Sequence, residues 1–421
     1  MKIALKGKSA VWNRIKEELA FIRGNFLVLL LSYVLFSFSY DLSSPFESPF
    51  IEKLGASPVV IGALGSLGSF ILFLVRIPGS YIVDKHGRRR IIVTMTYGVA
   101  LSNIFFILAP NWILYMIGVV VTNICLIYQP ALEAIEADSL TPERRGIGYA
   151  AFRVLPHLPS IFSPLIAGTL VSLYSIDLGM RIIYGVVLAC GLTAAVLRHA
   201  FLKETLKDAK PFNLKEFKLA FKDSLREILD SWKLMPKSLA FLLASTLMIA
   251  FTDPFFYRFG SLYVLEVVGL SDVEWGAVNT MNLATMLFLG LFLGKAVDVF
   301  GRKKALILAR LIFMPATAFF ILSKSFSTLA MVYIFFAIAS VLFGSATSAL
   351  QADIVPKERR GRILGSIGAL YILVGALGSL VGGFLYENVG STVPFWLCIP
   401  LDIIALLIVI FKVKEPEKRE A

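Results

Sequence analysis

Two carboxylates lie within long apolar stretches of the sequence, where an ionisable side chain is costly and therefore points to a function. At ~1.5 Å per residue, Asp41 lies roughly 24 Å from the start of the first stretch and Asp253 roughly 22 Å from the start of the seventh. A carboxyl group in a partly dry cavity can exchange protons or attract a cation. We therefore expect Asp41 and Asp253 to carry proton coupling, cation recognition or both; a hydrogen-bonded structural role is the alternative for each.

Other polar side chains within these stretches extend the candidate set. His157, near the middle of the fifth stretch, can relay protons, and a hydrogen-bonded core histidine is an equal alternative. Tyr40 and Tyr257 lie close in sequence to the two carboxylates, and aromatic faces beside acidic groups suit lipophilic cations. Asn279 and Asn282 would equally suit a sugar or another polar metabolite.

The remaining charges in the apolar stretches are expected to pair, because an unpaired charge is unfavourable there. Glu47 and Arg258 lie at similar depth and could pair across the molecule to form an external gate. Two further pairs are expected to be structural, namely Arg153 with Glu133 and Arg310 with Asp402.

Composition indicates the environment that must hold these residues. The chain has 421 residues, 57% hydrophobic and 17% charged, against about 25% charged in an ordinary soluble domain. The apolar stretches are continuous rather than alternating, which predicts an all-α polytopic membrane protein and excludes a nucleic-acid binder, a disordered chain or a disulfide scaffold. Cys125, Cys190 and Cys398 lie inside apolar runs without metal-ligand spacing. With no P-loop or HExxH-like motif, we expect neither an enzyme nor a bound metal or cofactor.

Twelve stretches are long enough to cross a bilayer core of ~30 Å as helices. They lie at 25–50, 57–83, 90–110, 112–137, 146–173, 180–200, 238–265, 273–299, 304–323, 327–353, 361–387 and 392–411. Most of the 41 Lys and Arg residues then fall on one face, whereas Lys53, Arg181 and Lys324 fall on the other. The positive-inside rule predicts that both termini are cytoplasmic, and we expect a multi-pass protein of the plasma membrane.

A charged central stretch divides the chain into two halves of six spans each. We predict one six-helix bundle over 25–203 and another over 238–411. Amphipathic segments are predicted within 1–24 and within the central cytoplasmic loop 204–237, where they would lie on the inner leaflet; a solvated linker is the alternative. Residues 412–421 form the predicted cytoplasmic tail.

An internal repeat relates the two halves. Matching residues recur at a spacing of 214 or 215: Glu52 and Glu266, Gly62 and Gly276, Asp84 and Asp298, Gly87 and Gly301, Asp138 and Asp353, and Gly168 and Gly383. Near-constant spacing across five spans indicates a parallel duplication. We therefore expect two pseudo-symmetric six-helix bundles.

The loop after the second span carries a signature that reads Gly79, then Asp84-Lys85-x-Gly87-Arg88-Arg89. Its echo in the second half reads Gly294, then Asp298-x-x-Gly301-Arg302. The signature resembles the loop motif of the major facilitator superfamily, and the resemblance covers essentially the whole chain. It implies a cytoplasmic gate in which Asp84 faces the start of the eleventh span. The implied gate residues are Gly79, Asp84, Gly87, Arg88, Arg89, Glu136 and Asp138, with an arginine meeting one of the last two, and Asp298, Gly301, Arg302 and Asp353 in the second half.

A second resemblance is partial. The fifth span reads Ser163-Pro164-Leu-Ile-Ala167-Gly168, similar to the Gly-Pro-x-x-Gly-Gly motif of drug/proton antiporters in this superfamily, but Leu126 stands where those antiporters have an arginine. The resemblance implies a monomeric secondary active transporter that works by alternating access, with a small-molecule substrate, protons and membrane lipid as its partners. We expect proton-coupled export of amphipathic or cationic compounds; proton-coupled uptake of a sugar or other small metabolite is the alternative.

Overall fold

The computed structural model describes residues 22–85, 87–140, 145–206, 235–355 and 360–415, together with the isolated positions 218 and 222. Most of the amphipathic segments predicted within 1–24 and 204–237 lies outside these residues, as does most of the predicted tail. For Gly79 and Asp84 the structure describes only that both residues lie in a helix. The predicted contact of Asp84 therefore also lies outside the described part of the chain.

Helices make up the first half, 25–203. They are α1 (Asn25–Ser43), α2 (Glu47–Lys53), α3 (Pro58–Lys85), α4 (Arg88–Leu108), α5 (Trp112–Cys125), α6 (Gln129–Asp138), α7 (Arg145–Val154) and α8 (Ser163–Phe201). Prolines mark two of the bends: Pro45 lies in a 3₁₀ turn between α1 and α2, and Pro156 lies in a similar turn after α7. Because proline lacks an N–H donor and clashes with the preceding turn, it ends the regular helix at these points.

Helices also make up the second half, 238–411. They are α9 (Lys237–Leu262), a π-helical turn (Tyr263–Val268), α10 (Asp272–Phe300), α11 (Arg302–Leu322), α12 (Phe326–Ile354), α13 (Arg360–Asn388) and α14 (Val393–Lys412). The repeat-related Gly87 and Gly301 precede α4 and α11 with φ angles of 85° and 96°. Such positive angles favour glycine, which explains why the loop signature has glycine at this position in both halves.

The membrane-crossing helices are fewer than the twelve predicted stretches among the described residues. Among the described residues, ten helices are long and apolar enough to cross a membrane, or eleven if the bent pair within α10 counts as one span. The end of the predicted fifth span and the whole of the sixth fall within α8, whose 39 residues would measure roughly 58 Å as one straight helix, about twice a bilayer core. Ser175 breaks α8 with φ 66° and ψ 164°, and the chain folds back so that Gly179 lies against Val171. A count of continuous helices is therefore lower than a count of apolar stretches.

The two halves meet closely at one end of the molecule. We call this the distal end, where Glu47 and Arg258 lie; the basic end is the opposite one, with Arg88 and Arg302. In the first contact α3 packs against α13: a Cβ atom added to Gly62 would lie 2.5 Å from the Ser379 carbonyl oxygen. A Cβ atom added to Gly383 would lie 2.5 Å from the Pro58 carbonyl oxygen. Only glycine permits so close an approach of the two backbones.

A second close contact joins α8 to α10. A Cβ atom on Gly168 would lie 2.4 Å from the Asp272 carbonyl oxygen, and one on Gly276 would lie 2.5 Å from that of Pro164. Gly62 and Gly276 occupy equivalent repeat positions, and so do Gly168 and Gly383. Each half therefore contributes one glycine to each contact, as expected of two repeats related by a pseudo-twofold axis. We call the two contacts the α3–α13 seam and the α8–α10 seam.

Candidate functional site

A cavity of about 440 Å³ lies beside Asp253 of α9. Its lining residues are Ser44, Pro45, Asp253, Phe256, Tyr257, Ser261, Trp275, Asn279, Tyr333 and Phe336. The Tyr371 hydroxyl of α13 donates a hydrogen bond to Asp253 Oδ2. A carboxylate among aromatic rings can attract an organic cation both by charge and by cation–π interaction.

Both halves of the chain contribute to this cavity, although most of its wall belongs to the second half. Trp275 Nε1 donates to the Pro45 carbonyl oxygen across the two halves at 2.9 Å. The side-chain amide of Asn279 donates to the Trp275 carbonyl oxygen at 2.8 Å, and that of Asn282 donates to the Tyr333 carbonyl oxygen at 2.8 Å. One N–H of each amide is thus engaged by the backbone.

The structure places Asp41 and His157, predicted separately from the sequence, in one cluster. The Ser160 hydroxyl donates to Asp41 Oδ2 at 2.7 Å, and His157 Nδ1 lies 3.3 Å from the same oxygen. Asp41 belongs to α1, whereas the other two residues lie between α7 and α8. The cluster holds a carboxylate and an imidazole in direct contact, which is an arrangement suited to proton exchange.

Glu47 and Arg258 are in contact across the two halves at the distal end. Arg258 Nη1 donates to Glu47 Oε1 at 3.1 Å, and the Tyr115 hydroxyl donates to the same oxygen at 3.2 Å. The Arg258 guanidinium also lies 4.5 Å above the ring of Tyr257, which in turn hydrogen-bonds to Tyr40. The pair is mostly buried, so each charge depends on the other for compensation.

Exchanging the two charges tests whether this contact matters to transport. Glu47→Arg or Arg258→Glu alone should reduce transport by at least about tenfold, because each leaves two like charges facing each other in a partly buried site. The double exchange restores opposite charges and should recover a substantial part of the activity. Uptake into proteoliposomes measures all three variants at matched protein incorporation. A double variant no better than the weaker single one would contradict this role.

A carboxyl pair forms another contact between the halves at the distal end. The side chains of Glu52 and Glu266, which occupy equivalent repeat positions, hydrogen-bond to each other. Two carboxyl groups make such a bond only when one of them is protonated. The Tyr386 hydroxyl interacts electrostatically with both, and it is buried without a hydrogen-bond partner among the described residues.

At the basic end two ion pairs occupy equivalent positions in the two halves. Arg88 of α4 pairs with Asp138 of α6, and Arg302 of α11 pairs with Asp353 of α12. Each pair joins helices within one half. Asp298 lies near the end of α10, just before Gly301. The signature arginines thus fix each half's loop to its own neighbouring helix.

Two of the residues implied for the gate have other partners. Glu136 accepts a hydrogen bond from the Tyr33 hydroxyl rather than from a signature arginine. Arg89 donates to the carbonyl oxygens of His199 and Leu202, each at 2.6 Å. The last carbonyls of a helix lack partners within that helix, and the end of α8 presents them beside Arg89.

Acidic residues after the last span of each half cap the helices that begin with the signature arginines. Glu204 accepts the backbone N–H of Arg89 at 2.9 Å, and Glu415 accepts that of Arg302 at 3.1 Å. Burial of Glu204 opposes its ionisation, but several backbone N–H donors outweigh that effect and lower its pKa. A carboxylate at a helix N-terminus is also stabilised by the helix dipole.

One predicted structural pair is absent and the other is present. Glu133 accepts a hydrogen bond from Arg76 at 3.2 Å, so the expected pairing with Arg153 is wrong. The depth of Glu133 in the membrane is compatible with a pairing to either arginine. Which arginine it meets depends on the side of the helix from which each side chain projects. Arg310 Nη1 donates to Asp402 Oδ1 at 2.8 Å, with both side chains almost fully buried.

The sequence matches the family model of the Major Facilitator Superfamily over residues 29–280 and again over residues 258–421. The chain belongs to the Major Facilitator Superfamily. Solved structures show the same fold. A peptide transporter of the POT family matches 92% of this chain and 93% of its own, with 14% identity and a TM-score of 0.72. A bacterial homologue of the human lysosomal transporter Spinster, inward-facing and occupied, matches 94% and 98%, with 17% identity and a TM-score of 0.70.

Curated members of the Major Facilitator Superfamily resemble parts of this chain. A vacuolar membrane amino acid uptake transporter of Schizosaccharomyces pombe is 33% identical over 35% of this chain and 25% of its own length. The cis,cis-muconate transport protein of Acinetobacter baylyi is 31% identical over 35% of each. Multidrug resistance protein 2 of Bacillus subtilis is 28% identical over 36% of this chain and 38% of its own length. The matched region thus spans well under half of these relatives.

Three residues of this Major Facilitator Superfamily protein were not predicted from the sequence. Tyr371 and Ser160 contact the candidate carboxylates, but hydroxyl groups carry no distinctive spacing. Arg198 is fully buried, donates to Thr96 Oγ1 at 2.8 Å and lies 5.1 Å from the Phe36 ring centroid. Arg198 lies near the end of the predicted sixth stretch, 180–200, and α8, which continues to Phe201, carries it into the bundle.

Proposed function

We propose that this protein is a secondary active transporter that exports amphipathic or cationic compounds in exchange for protons. The observation that carries the proposal is the Asp253 carboxylate in a cavity of about 440 Å³ with aromatic walls. A cation that enters such a cavity loses hydrating water and gains interactions with the negative charge of Asp253 and with the faces of the aromatic rings.

The arrangement of the two halves supports alternating access to this cavity. Both glycine seams, the Glu47–Arg258 pair and the Glu52–Glu266 pair join the halves at the distal end. In the proposed cycle these contacts open while the halves approach each other at the basic end, where Asp84 and the signature arginines would form the gate. The positive-inside rule favours a cytoplasmic basic end, with both termini on that side of the plasma membrane.

We assign the coupling proton to the cluster of Asp41, Ser160 and His157, and the binding of the cation to Asp253. The two carboxylates have different partners in the structure, which favours separate roles. The alternative, uptake of a sugar or metabolite, depended on Asn279 and Asn282. One amide N–H of each donates to a backbone carbonyl, which leaves fewer donors for a sugar.

Proteoliposomes with an imposed pH gradient test the proposal. With the membrane potential clamped by valinomycin and equal potassium, vesicles that are acidic inside should accumulate tetraphenylphosphonium, because an antiporter exchanges internal protons for external cation. Asp41→Asn should abolish this accumulation but retain exchange of labelled for unlabelled cation. Asp177→Asn, at an exposed carboxylate paired with Arg181, is the matched control and should behave as the unmodified protein. Accumulation of glucose in vesicles acidic outside, without cation transport, would favour the symport alternative.

A further inference from the structure

A second, smaller cavity adjoins the first at Asp253. It measures about 200 Å³, and its lining residues are Ile249, Asp253, Ala309, Arg310, Phe313, Ala339, Ser340, Phe343 and Tyr371. Because Asp253 lines both spaces, a ligand that binds this carboxylate lies next to the smaller cavity as well. The smaller cavity therefore belongs to the environment of any ligand held by Asp253.

Arg310 brings a positive charge into the smaller cavity. The residue is 4% exposed, and its guanidinium carbon lies 4.6 Å from the ring centroid of Phe343, another lining residue. The guanidinium also interacts electrostatically with Asp253 and Tyr371. A buried cation and a carboxylate thus line the same space.

The hydrogen bonds of Arg310 leave one edge of its guanidinium group unused. Nη1 donates to Asp402, whereas Nε and Nη2 are buried without a partner among the described residues. Buried donors without acceptors are rare in proteins and unfavourable. Nε and Nη2 are also the neighbouring donors that bind both oxygens of a carboxylate in a bidentate arrangement.

Asp402 does not supply this missing acceptor. Its second oxygen, Oδ2, is also buried without a partner, so the Arg310–Asp402 pair is held by a single hydrogen bond. Asp253 is already bonded to the Tyr371 hydroxyl. Nε and Nη2 of Arg310 therefore have no acceptor among the described residues, and Arg310 lines the smaller cavity.

We propose that the free edge of Arg310 binds a carboxylate of the substrate while Asp253 binds its ammonium group. The substrate class is an amphipathic zwitterion, such as an aromatic amino acid, whose apolar part occupies the larger cavity. This inference rests on the proposed function, because it uses the same Asp253 site, and it narrows the compounds that the site takes. A cation without a carboxylate would leave the arginine edge unpaired, and an anion without an ammonium group would leave Asp253 unpaired.

Three matched probes test the inference: phenylalanine, phenethylamine, which lacks the carboxylate, and 3-phenylpropionate, which lacks the ammonium group. Calorimetric titration of the purified full-length protein in lipid nanodiscs should show phenylalanine binding at least about tenfold more tightly than either analogue. Arg310→Lys keeps a charge for Asp402 but loses the two-donor edge. It should abolish the preference for phenylalanine over phenethylamine and leave phenethylamine affinity within about twofold. Arg76→Lys, at an arginine that lines neither cavity, is the control and should keep the preference.

Equal affinity for phenylalanine and phenethylamine in the unmodified protein would overturn the inference, and this comparison needs no variant to fold. A preference that survives in Arg310→Lys would also overturn it. If none of the three probes binds, the inference fails, and the tetraphenylphosphonium assay then shows whether the proposed function fails with it. Cation accumulation in that assay would leave the proposed function standing without a carboxylate subsite.

Discussion

Gly383→Val should lower transport by between about 5- and 150-fold while the protein still inserts and folds. A Cβ atom at this position would meet the Pro58 carbonyl oxygen at 2.5 Å and the Cα atoms of Gly62 and Val59 at 3.2 Å. These are backbone atoms, so no side chain can rotate away. Overpacking of this kind costs about 1–3 kcal/mol, and it acts only when the halves are closed at the distal end. A destabilisation of the closed state by about 1–3 kcal/mol lowers its population by about 5- to 150-fold, which is the expected loss of transport.

Two measurements separate this effect from a general loss of structure. Spin labels at Lys53 and Val389, on opposite halves at the distal end, should lie farther apart in Gly383→Val than in the unmodified protein. Gly344→Val is the control, because a Cβ atom there meets no heavy atom within 4 Å. Gly383→Val with normal transport and an unchanged distance would show that the α3–α13 seam need not close this tightly.

Asp253→Asn should weaken binding of an organic cation by about 100-fold, corresponding to roughly 3 kcal/mol for the loss of one partner of a desolvated charge pair. The substitution keeps the size of the side chain and an oxygen that can accept the hydrogen bond from the Tyr371 hydroxyl. The lost activity should therefore reflect the missing charge rather than a displaced helix. The measurement is equilibrium binding of labelled tetraphenylphosphonium, followed by its transport.

The control for this variant is again Asp177→Asn, which removes an exposed carboxylate that is paired with Arg181 and lines neither cavity. Asp253→Asn should also differ from Asp41→Asn, which is expected to bind the cation normally but to lose its response to the pH gradient. Normal cation affinity in Asp253→Asn would contradict the assignment of this residue to the substrate. It would leave the fold and the family unaffected.

The sequence allowed a large part of this architecture to be predicted, because burial in lipid leaves few choices. Apolar stretches must be helices, and buried charges must find partners at similar depth. These constraints are enough to anticipate the contacts of Glu47 with Arg258 and of Arg310 with Asp402. The gating and transport roles of these residues remain predictions.

Depth alone does not decide contacts that depend on the facing of a helix. Glu133 pairs with Arg76 instead of Arg153. The position of a residue along a helix does not tell which side of the helix its side chain projects from. The hydroxyl groups of Tyr371 and Ser160 were missed because hydroxyl residues carry no distinctive spacing in the sequence. The unused edge of Arg310 is a property of three-dimensional packing and has no counterpart in the sequence.

The reciprocal placement of the seam glycines bears on how such a chain could originate. Each repeat carries both kinds of glycine, one at the Gly62 or Gly276 position and one at the Gly168 or Gly383 position. A single unfused repeat would therefore hold everything needed to build both seams with a second copy of itself, as an isologous dimer. Fusion of two such copies would free them to differ, and the cavity around Asp253 has most of its wall in one half.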